Sequence, residues 1–289
     1  MADDMRESVL KGEKFYSVHN DLAFKLFFAD ERNREHLIRL LKAILDLDDS
    51  EYAGITIIDP LLVPDYKDEK SGILDVKLTT SSGSIVNIEI QVMLMPDMRE
   101  RIAFYVAKLI VEQLGKGQNY DELNKVISIV IMCDTLFHEN DVYHQKFFIC
   151  DPVTGARLTN ILEIHTLEIP KLPAQFDGTD LWQWMKFIEA DSEEALNMLV
   201  KEHPIMEKPA EQLLELNSDK RSRMIIEARE KALRDERSRI KGAREEGREE
   251  GKIEIAMNLL LDGMSYDRVS RITGLTLDKV EEIAKESEK

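Results

Sequence analysis

Ile73-Leu74-Asp75-Val76-Lys77-Leu78-Thr79 and Ile85-Val86-Asn87-Ile88-Glu89-Ile90-Gln91-Val92 are the stretches whose reading decides the fold. Leu74, Val76 and Leu78 alternate with Asp75 and Lys77. Val86, Ile88, Ile90 and Val92 alternate with Asn87, Glu89 and Gln91. A period of two is that of a strand, so each stretch has one apolar and one polar face. The five residues between them, Thr80-Ser81-Ser82-Gly83-Ser84, are rich in turn formers, and a hairpin is expected. Matching the apolar faces pairs Leu74 with Ile90, Val76 with Ile88 and Leu78 with Val86. Asp75 then falls opposite Glu89, with Cα atoms roughly 4.5–5.5 Å apart. Two carboxylates that close repel unless a cation lies between them. Mg²⁺, with oxygen ligands at about 2.0–2.1 Å, has the size and chemistry for that position. The alternative is that both acids lie on the solvated face of an edge hairpin.

Helical patterns flank the hairpin. Asn20 and Asp21 stand at a helix start before Leu22-Ala23-Phe24-Lys25-Leu26-Phe27-Phe28, and a second helix is expected over Glu31–Leu45. A loop and a short strand at Ile55–Ile58 follow, and Pro60 and Pro64 then break the chain. A helix opens at Pro96-Asp97 and runs to about Leu114, with Ile102, Tyr105, Val106, Leu109 and Ile110 in its apolar stripe. Strands are expected over Lys125–Cys133, Tyr143–Cys150 and Ile161–Ile169. Beyond Asp180 the pattern is helical. The predicted class is α/β, a mixed and partly antiparallel sheet flanked by helices, with an all-helical C-terminal extension. Residues 1–15 are expected to be loosely ordered, 16–175 to form the α/β domain, and 176–250 to be helical with one long charged helix. Residues 251–289 are expected to form a small three-helix, helix-turn-helix-like tail.

Composition narrows the function. A net charge of −17 over 289 residues argues against a broad basic surface for non-specific nucleic-acid binding. The exception is 220–252, with 12 Lys/Arg against 8 Asp/Glu. That segment either tracks phosphates or is a solvent-exposed helix laced with ion pairs. Gly242, Gly247 and Gly251 weaken a helix there, which suggests close helix approach or a bend, and self-association. The last candidate helix, Leu277–Ile283, carries three acids and one lysine, a poor composition for reading base edges. Cys133 and Cys150 are expected to be buried free thiols in a reducing compartment. The six histidines show no ligand spacing and are read as structural or solvated. With no apolar leader and no membrane span, a cytoplasmic location is expected.

The chain resembles the PD-(D/E)XK nuclease superfamily, and within it the recombination-promoting nuclease branch often labelled putative transposase. The resemblance rests on Asn20-Asp21-Leu22-Ala23-Phe24-Lys25, Ile73-Leu74-Asp75-Val76, Asn87-Ile88-Glu89-Ile90-Gln91, and Arg101 with Tyr105. The glycine-spaced charged helix and the tail around Thr273-Gly274-Leu275 are similar too. The resemblance implies a restriction-endonuclease-like core and a Mg²⁺-dependent DNA endonuclease, with Mn²⁺ able to substitute. It implies that Asp75, Glu89 and the carbonyl of Ile90 hold the metal and that Asp21 is an extra ligand or water-orienting group. Lys25 and Arg101 are candidate DNA contacts. Gln91 stands where the superfamily has its lysine; Lys77 or Lys25 is the candidate replacement. DNA is the expected partner, and a homodimer or higher oligomer through the C-terminal helices is expected. A catalytically quiet module that keeps the fold is the alternative, and a true transposase is a third reading.

Overall fold

The computed structural model describes residues 14–58 and 76–287. Asp75, Leu74, Ile73, Pro60, Pro64 and residues 1–13 lie outside the described residues, so the expected Asp75–Glu89 and Leu74–Ile90 pairings fall there too. The described strands form a six-stranded mixed sheet, in keeping with the expected class. They are β1 (Thr56–Ile57), β2 (Val76–Thr79), β3 (Ile85–Gln91), β4 (Val126–Met132), β5 (His144–Phe147) and β6 (Leu162–Glu168), in the order β1-β2-β3-β4-β6-β5. β1, β2 and β3 are antiparallel, β3, β4 and β6 are parallel, and β5 returns antiparallel on β6. The hairpin register has the expected pairs Val76–Ile88 and Leu78–Val86. The hairpin is not an edge, however, because β3 pairs with β4 along its whole length.

Both faces of the sheet are covered. The apolar face of β2 and β3 continues across Ile127, Ile129, Ile131 and Leu167 into the main core. Helices α1 (Asp21–Phe28), α2 (Arg34–Ile44) and α5 (Asp180–Glu189) fill that core. Its centre is aromatic: Phe27 lies 5.5 Å from Phe187, and Phe28 lies 4.7 Å from Phe24 and 6.1 Å from Trp184. Pairs of this kind contribute about 0.5–1.5 kcal/mol beyond area burial. The opposite face is roofed by α4 (Met98–Val111), the β3-to-β4 crossover. Met98 and Ile102, four residues apart, press on Val130 and Met132.

Local chemistry explains the element ends. Asn20 caps α1, its Oδ1 accepting from the backbone of Leu22 and Ala23 at 3.0 Å. The second helix opens with a 3-10 turn, Glu31–Asn33, and the loop expected after it holds the short helix α3 (Asp49–Ala53). β1 and β5 are shorter than the expected strands at 55–58 and 143–150. Cys150 consequently lies beyond β5, exposed, in an isolated bridge with Arg157, whereas Cys133 is half-buried. Burial pushes the Cys133 thiol up to about 12, so it is inert as a nucleophile.

Helices α6 (Glu193–Glu202) and α7 (Glu207–Ser218) extend the main core through Leu196, Leu199, Ala210 and Leu213. Asn217, buried on α7, accepts from the Tyr16 amide at 2.6 Å and donates to the Tyr16 carbonyl at 2.9 Å. The chain divides into two compact units, 1–226 and 227–289. Asp219 starts α8 (Lys220–Leu261) by accepting from Ser222. The end of α8 packs with α9 (Tyr266–Thr273) and α10 (Leu277–Ser287) through Ala256, Val269, Leu275, Val280 and Ile283. Gly274 ends α9 at φ 70°, the left-handed cap for which glycine is favoured.

The close approach expected at Gly242, Gly247 and Gly251 is not found among the described residues. A Cβ built at any of the three meets nothing within 4 Å, and α8 is continuous through them. Gly247→Ala and Gly251→Ala are each expected to stabilise the helix by about 0.5–1 kcal/mol, measured as slower amide exchange in this turn of α8. Glu168 is a contrasting case. Its buried carboxylate accepts from the amides of Leu136 at 2.5 Å and Phe137 at 3.0 Å and pairs with the buried Lys171 at 2.6 Å. Glu168→Ala should cost about 3–5 kcal/mol by stranding Lys171, seen as a lowered urea midpoint; a midpoint within error of wild type would refute this role.

Candidate active site

The polar row on β3 is Asn87, Glu89 and Gln91. Asn87 and Glu89 are each only 6% exposed, and Gln91 is half-buried. They face away from the main core, yet they are not solvated, which removes the edge-hairpin alternative. Their neighbours on β4 explain the burial. Ser128 pairs with Asn87, Val130 with Glu89 and Met132 with Gln91, and Val130 and Met132 lie under α4. On the other side, Lys77 of β2 is directly opposite Asn87 and half-buried. It is therefore the diagonal cross-strand neighbour of Glu89 on the same face, within reach of a long side chain.

The backbone adds a donor. Ile85 donates to Lys125 O at 2.8 Å, and Gln91 O accepts from Cys133 N at 3.0 Å. Odd-numbered residues of β3 therefore turn their amides and carbonyls toward β4. Even-numbered ones, Ile90 included, turn toward the β2 side. The Ile90 carbonyl is thus directed to the side on which the chain runs into Val76. Among the described residues, no group of three or more His, Cys, Asp or Glu side chains is placed to hold a metal ion.

α1 packs against β3. Asp21 occupies its first turn, half-buried, with Oδ1 accepting from Leu22 N at 2.8 Å; the cap itself is Asn20. Lys25 is 6% exposed rather than on the surface, and it makes no ion pair with Asp21 or any other described residue. Arg101 lies on α4 with its guanidinium 5.6 Å from the centre of the Tyr105 ring. Tyr105 is half-buried beside the Met98, Ile102 and Val106 stripe. No Arg101–Asp97 ion pair forms among the described residues, although Arg101 N–H donates to Asp97 O.

Sequence spacing gave no sign of a second polar chain, on the opposite face. His144 Nε2 lies 2.9 Å from His165 Nδ1, His165 Nε2 lies 2.7 Å from Glu163, and Glu163 pairs with Lys125 at 2.5 Å. Antiparallel pairing of β5 with β6 joins histidines that are 21 residues apart. His165 is fully buried. The hydrogen bond from His165, reinforced by Lys125, holds the Glu163 carboxyl down at about 2 against the effect of burial. Burial first, then the positive fields of His165 and Lys146, hold His144 down at about 4.

The family model described as PD-(D/E)XK nuclease family transposase matches residues 18–243. The chain belongs to this family. Family membership supports a nuclease- or transposase-related function, a hydrolase acting on DNA, and nucleases of this superfamily generally use divalent metals. The matched residues include the whole sheet and most of α8 and leave out the C-terminal helices α9 and α10. The curated proteins and the solved structures return no significant match. Among the described residues, no helix is long and apolar enough to cross a membrane.

The histidine chain makes a pH prediction. His144 binds its proton more readily unfolded, near 6.5, than folded, near 4. Neutral His144 therefore contributes stability above about pH 6.5 that is lost as pH falls toward 4. Glu163, depressed from 4.5 to about 2, contributes stability that is lost as pH falls from about 4.5 to about 2, mostly below that window. His144→Gln should flatten the stability–pH curve between 6.5 and 4 and leave the lower step in place. Urea unfolding across this range tests it; an unchanged slope would rule out His144 as the source.

Proposed function

We propose that this protein is a Mg²⁺-dependent DNA endonuclease whose site is built on the β2–β3 hairpin, with Asp75 and Glu89 as the metal-binding carboxylates. The supporting observation is the register. Val76–Ile88 and Lys77–Asn87 are paired, the register in which the sequence reading sets Asp75, outside the described residues, opposite Glu89. Glu89 is also buried on an interior strand, where a carboxylate is kept for hydrogen bonding or for a cation rather than for solubility. The donor set fits a hard divalent cation: two carboxylates and the Ile90 carbonyl, all oxygen. Such a cation, when bound, supplies Lewis-acid stabilisation of the negative charge that develops on the scissile phosphate.

The chain's own groups do the remaining work. Asn87 and Gln91 present amides that donate to a phosphate oxygen or orient a water, although Gln91 cannot supply positive charge. Lys77, on the Glu89 face and in cross-strand contact with Asn87, is positioned to supply that charge. Asp21 and Lys25 on α1 and Arg101 on α4 are the further candidate contacts, to the metal or its water for Asp21 and to phosphate for Lys25 and Arg101. Double-strand cleavage needs two such sites, which a homodimer provides. The biological setting that fits the family is recombination or the movement of mobile elements.

The test is cleavage of supercoiled plasmid with Mg²⁺ and with Mn²⁺. Asp75→Asn and Glu89→Gln should each reduce cleavage by about 10²-fold or more, and Lys77→Met should lower turnover without weakening metal binding. Gln91 in place of lysine is the specific feature that favours a catalytically quiet, nuclease-fold binding module. That reading wins if wild type and both carboxylate variants leave the plasmid equally intact across metals and pH.

A further inference from the structure

Within the charged segment 220–252, the charges from 234 to 252 resolve into two faces once the segment is one helix. α8 is unbroken from Lys220 to Leu261. At about 100° per residue, Arg234, Lys241, Arg244, Arg248 and Lys252 fall within an arc of roughly 80°, and position 237 on the same arc is also arginine. The spacings are three, four, three, four and four residues, those of a single helical stripe. Asp235, Glu236, Glu246, Glu249 and Glu250 fall on the other side, and Glu245 borders the stripe. Arg239 lies on the acidic side, where it pairs with Glu236.

The stripe is only weakly neutralised. Arg234–Glu230 at 3.5 Å, Lys241–Glu245 at 3.9 Å and Lys252–Glu249 at 3.4 Å are long contacts, and the Arg234 and Lys241 side chains are largely exposed. Pairs of this kind hold little. Arg244 and Arg248 are exposed and make no ion pair with another described residue. An apolar seam for a second copy of the helix is missing. Between positions 234 and 252 the one large apolar residue is Ile240, whereas a coiled coil needs apolar residues at every a and d position. A row of cations on a polar helix, in an otherwise acidic chain, complements a polyanion.

We infer that this basic face of α8 is a docking surface for the phosphate backbone of duplex DNA, which lets an acidic protein hold its substrate. The inference rests on the DNA-directed reading above and adds the surface that does the holding. From 234 to 252 the stripe covers about 27 Å, a length of duplex that carries roughly 16 phosphate charges. The contacts would be to phosphate and therefore indifferent to sequence. The helix-turn-helix-like end of the chain does not substitute for it. Asp278, Glu281 and Glu282 on α10 give that helix the wrong charge for a DNA groove.

The experiment is fluorescence anisotropy of the full-length chain on a duplex of about 30 base pairs, in EDTA, over roughly 50–200 mM salt. Arg244→Gln/Arg248→Gln should lower the magnitude of the salt slope by about 1.8, or about 0.9 for each phosphate that is no longer neutralised, and weaken binding. Arg244→Lys/Arg248→Lys should keep the slope. Arg239→Gln, which removes a charge on the acidic side, should also leave it unchanged. An unchanged slope in the double glutamine variant overturns the inference, as does an equal drop in Arg239→Gln. A changed oligomeric mass in the double variant with unaltered DNA binding overturns it in favour of a second copy. The two readings fail separately. Absent cleavage with a reduced slope removes the nuclease and keeps the surface; intact cleavage with an unchanged slope does the reverse.

Discussion

The structure depends on β3 being an interior strand with both faces covered. Its hydrogen bonds are shared between β2 and β4, and its apolar side chains enter the aromatic-centred core. Its polar side chains are then forced under or beside α4 rather than into water. Asn87 and Glu89 are buried for that reason. A carboxylate in such a place loses much of its hydration, so its surroundings and any cation it binds set its behaviour. The same strand cannot slip by one residue without exchanging its two faces, so core packing and site geometry enforce one register.

The α4 crossover links fold to site. Joining parallel β3 and β4 requires a long connection, and the helix that makes it must bury a stripe on the sheet. Met98 and Ile102 do so on Val130 and Met132, the neighbours of Glu89 and Gln91. On the β2 side of the row sits Lys77, opposite Asn87, and the Ile90 carbonyl is turned that way. Charge is divided unevenly along the chain: residues 1–226 carry 40 Asp/Glu against 25 Lys/Arg, residues 227–289 carry 16 against 14, and most cations of 234–252 fall on one face of α8.

Much of this was legible in the residues. Strict alternation in 85–92 marked a strand and told its two faces apart. The apolar matches at Val76–Ile88 and Leu78–Val86 specified the hairpin register, because pairing must keep one face dry. The periodicity of Leu37, Leu40, Leu41 and Ile44 marked α2, and Asn20 marked the start of α1. The weak points were positions ruled by distant contacts. Cys150 looked buried because Phe147-Phe148-Ile149 is apolar, yet β5 stops at Phe147 and leaves the thiol exposed. The glycines of α8 suggested a close approach that the described structure does not contain.

Sequence alone determined most of the elements, the face on which Glu89 lies and the family, because periods of two and 3.6 and short motifs are local properties of the chain. Tertiary structure decided how deep Glu89 sits, which neighbours it has and which polar groups are joined. Parallel pairing of β3 with β4 brought Ser128 beside Asn87, and the β5 return linked His144, His165, Glu163 and Lys125. No local pattern encodes such encounters, because they follow from which strands become neighbours, and that choice belongs to the packing of the whole core.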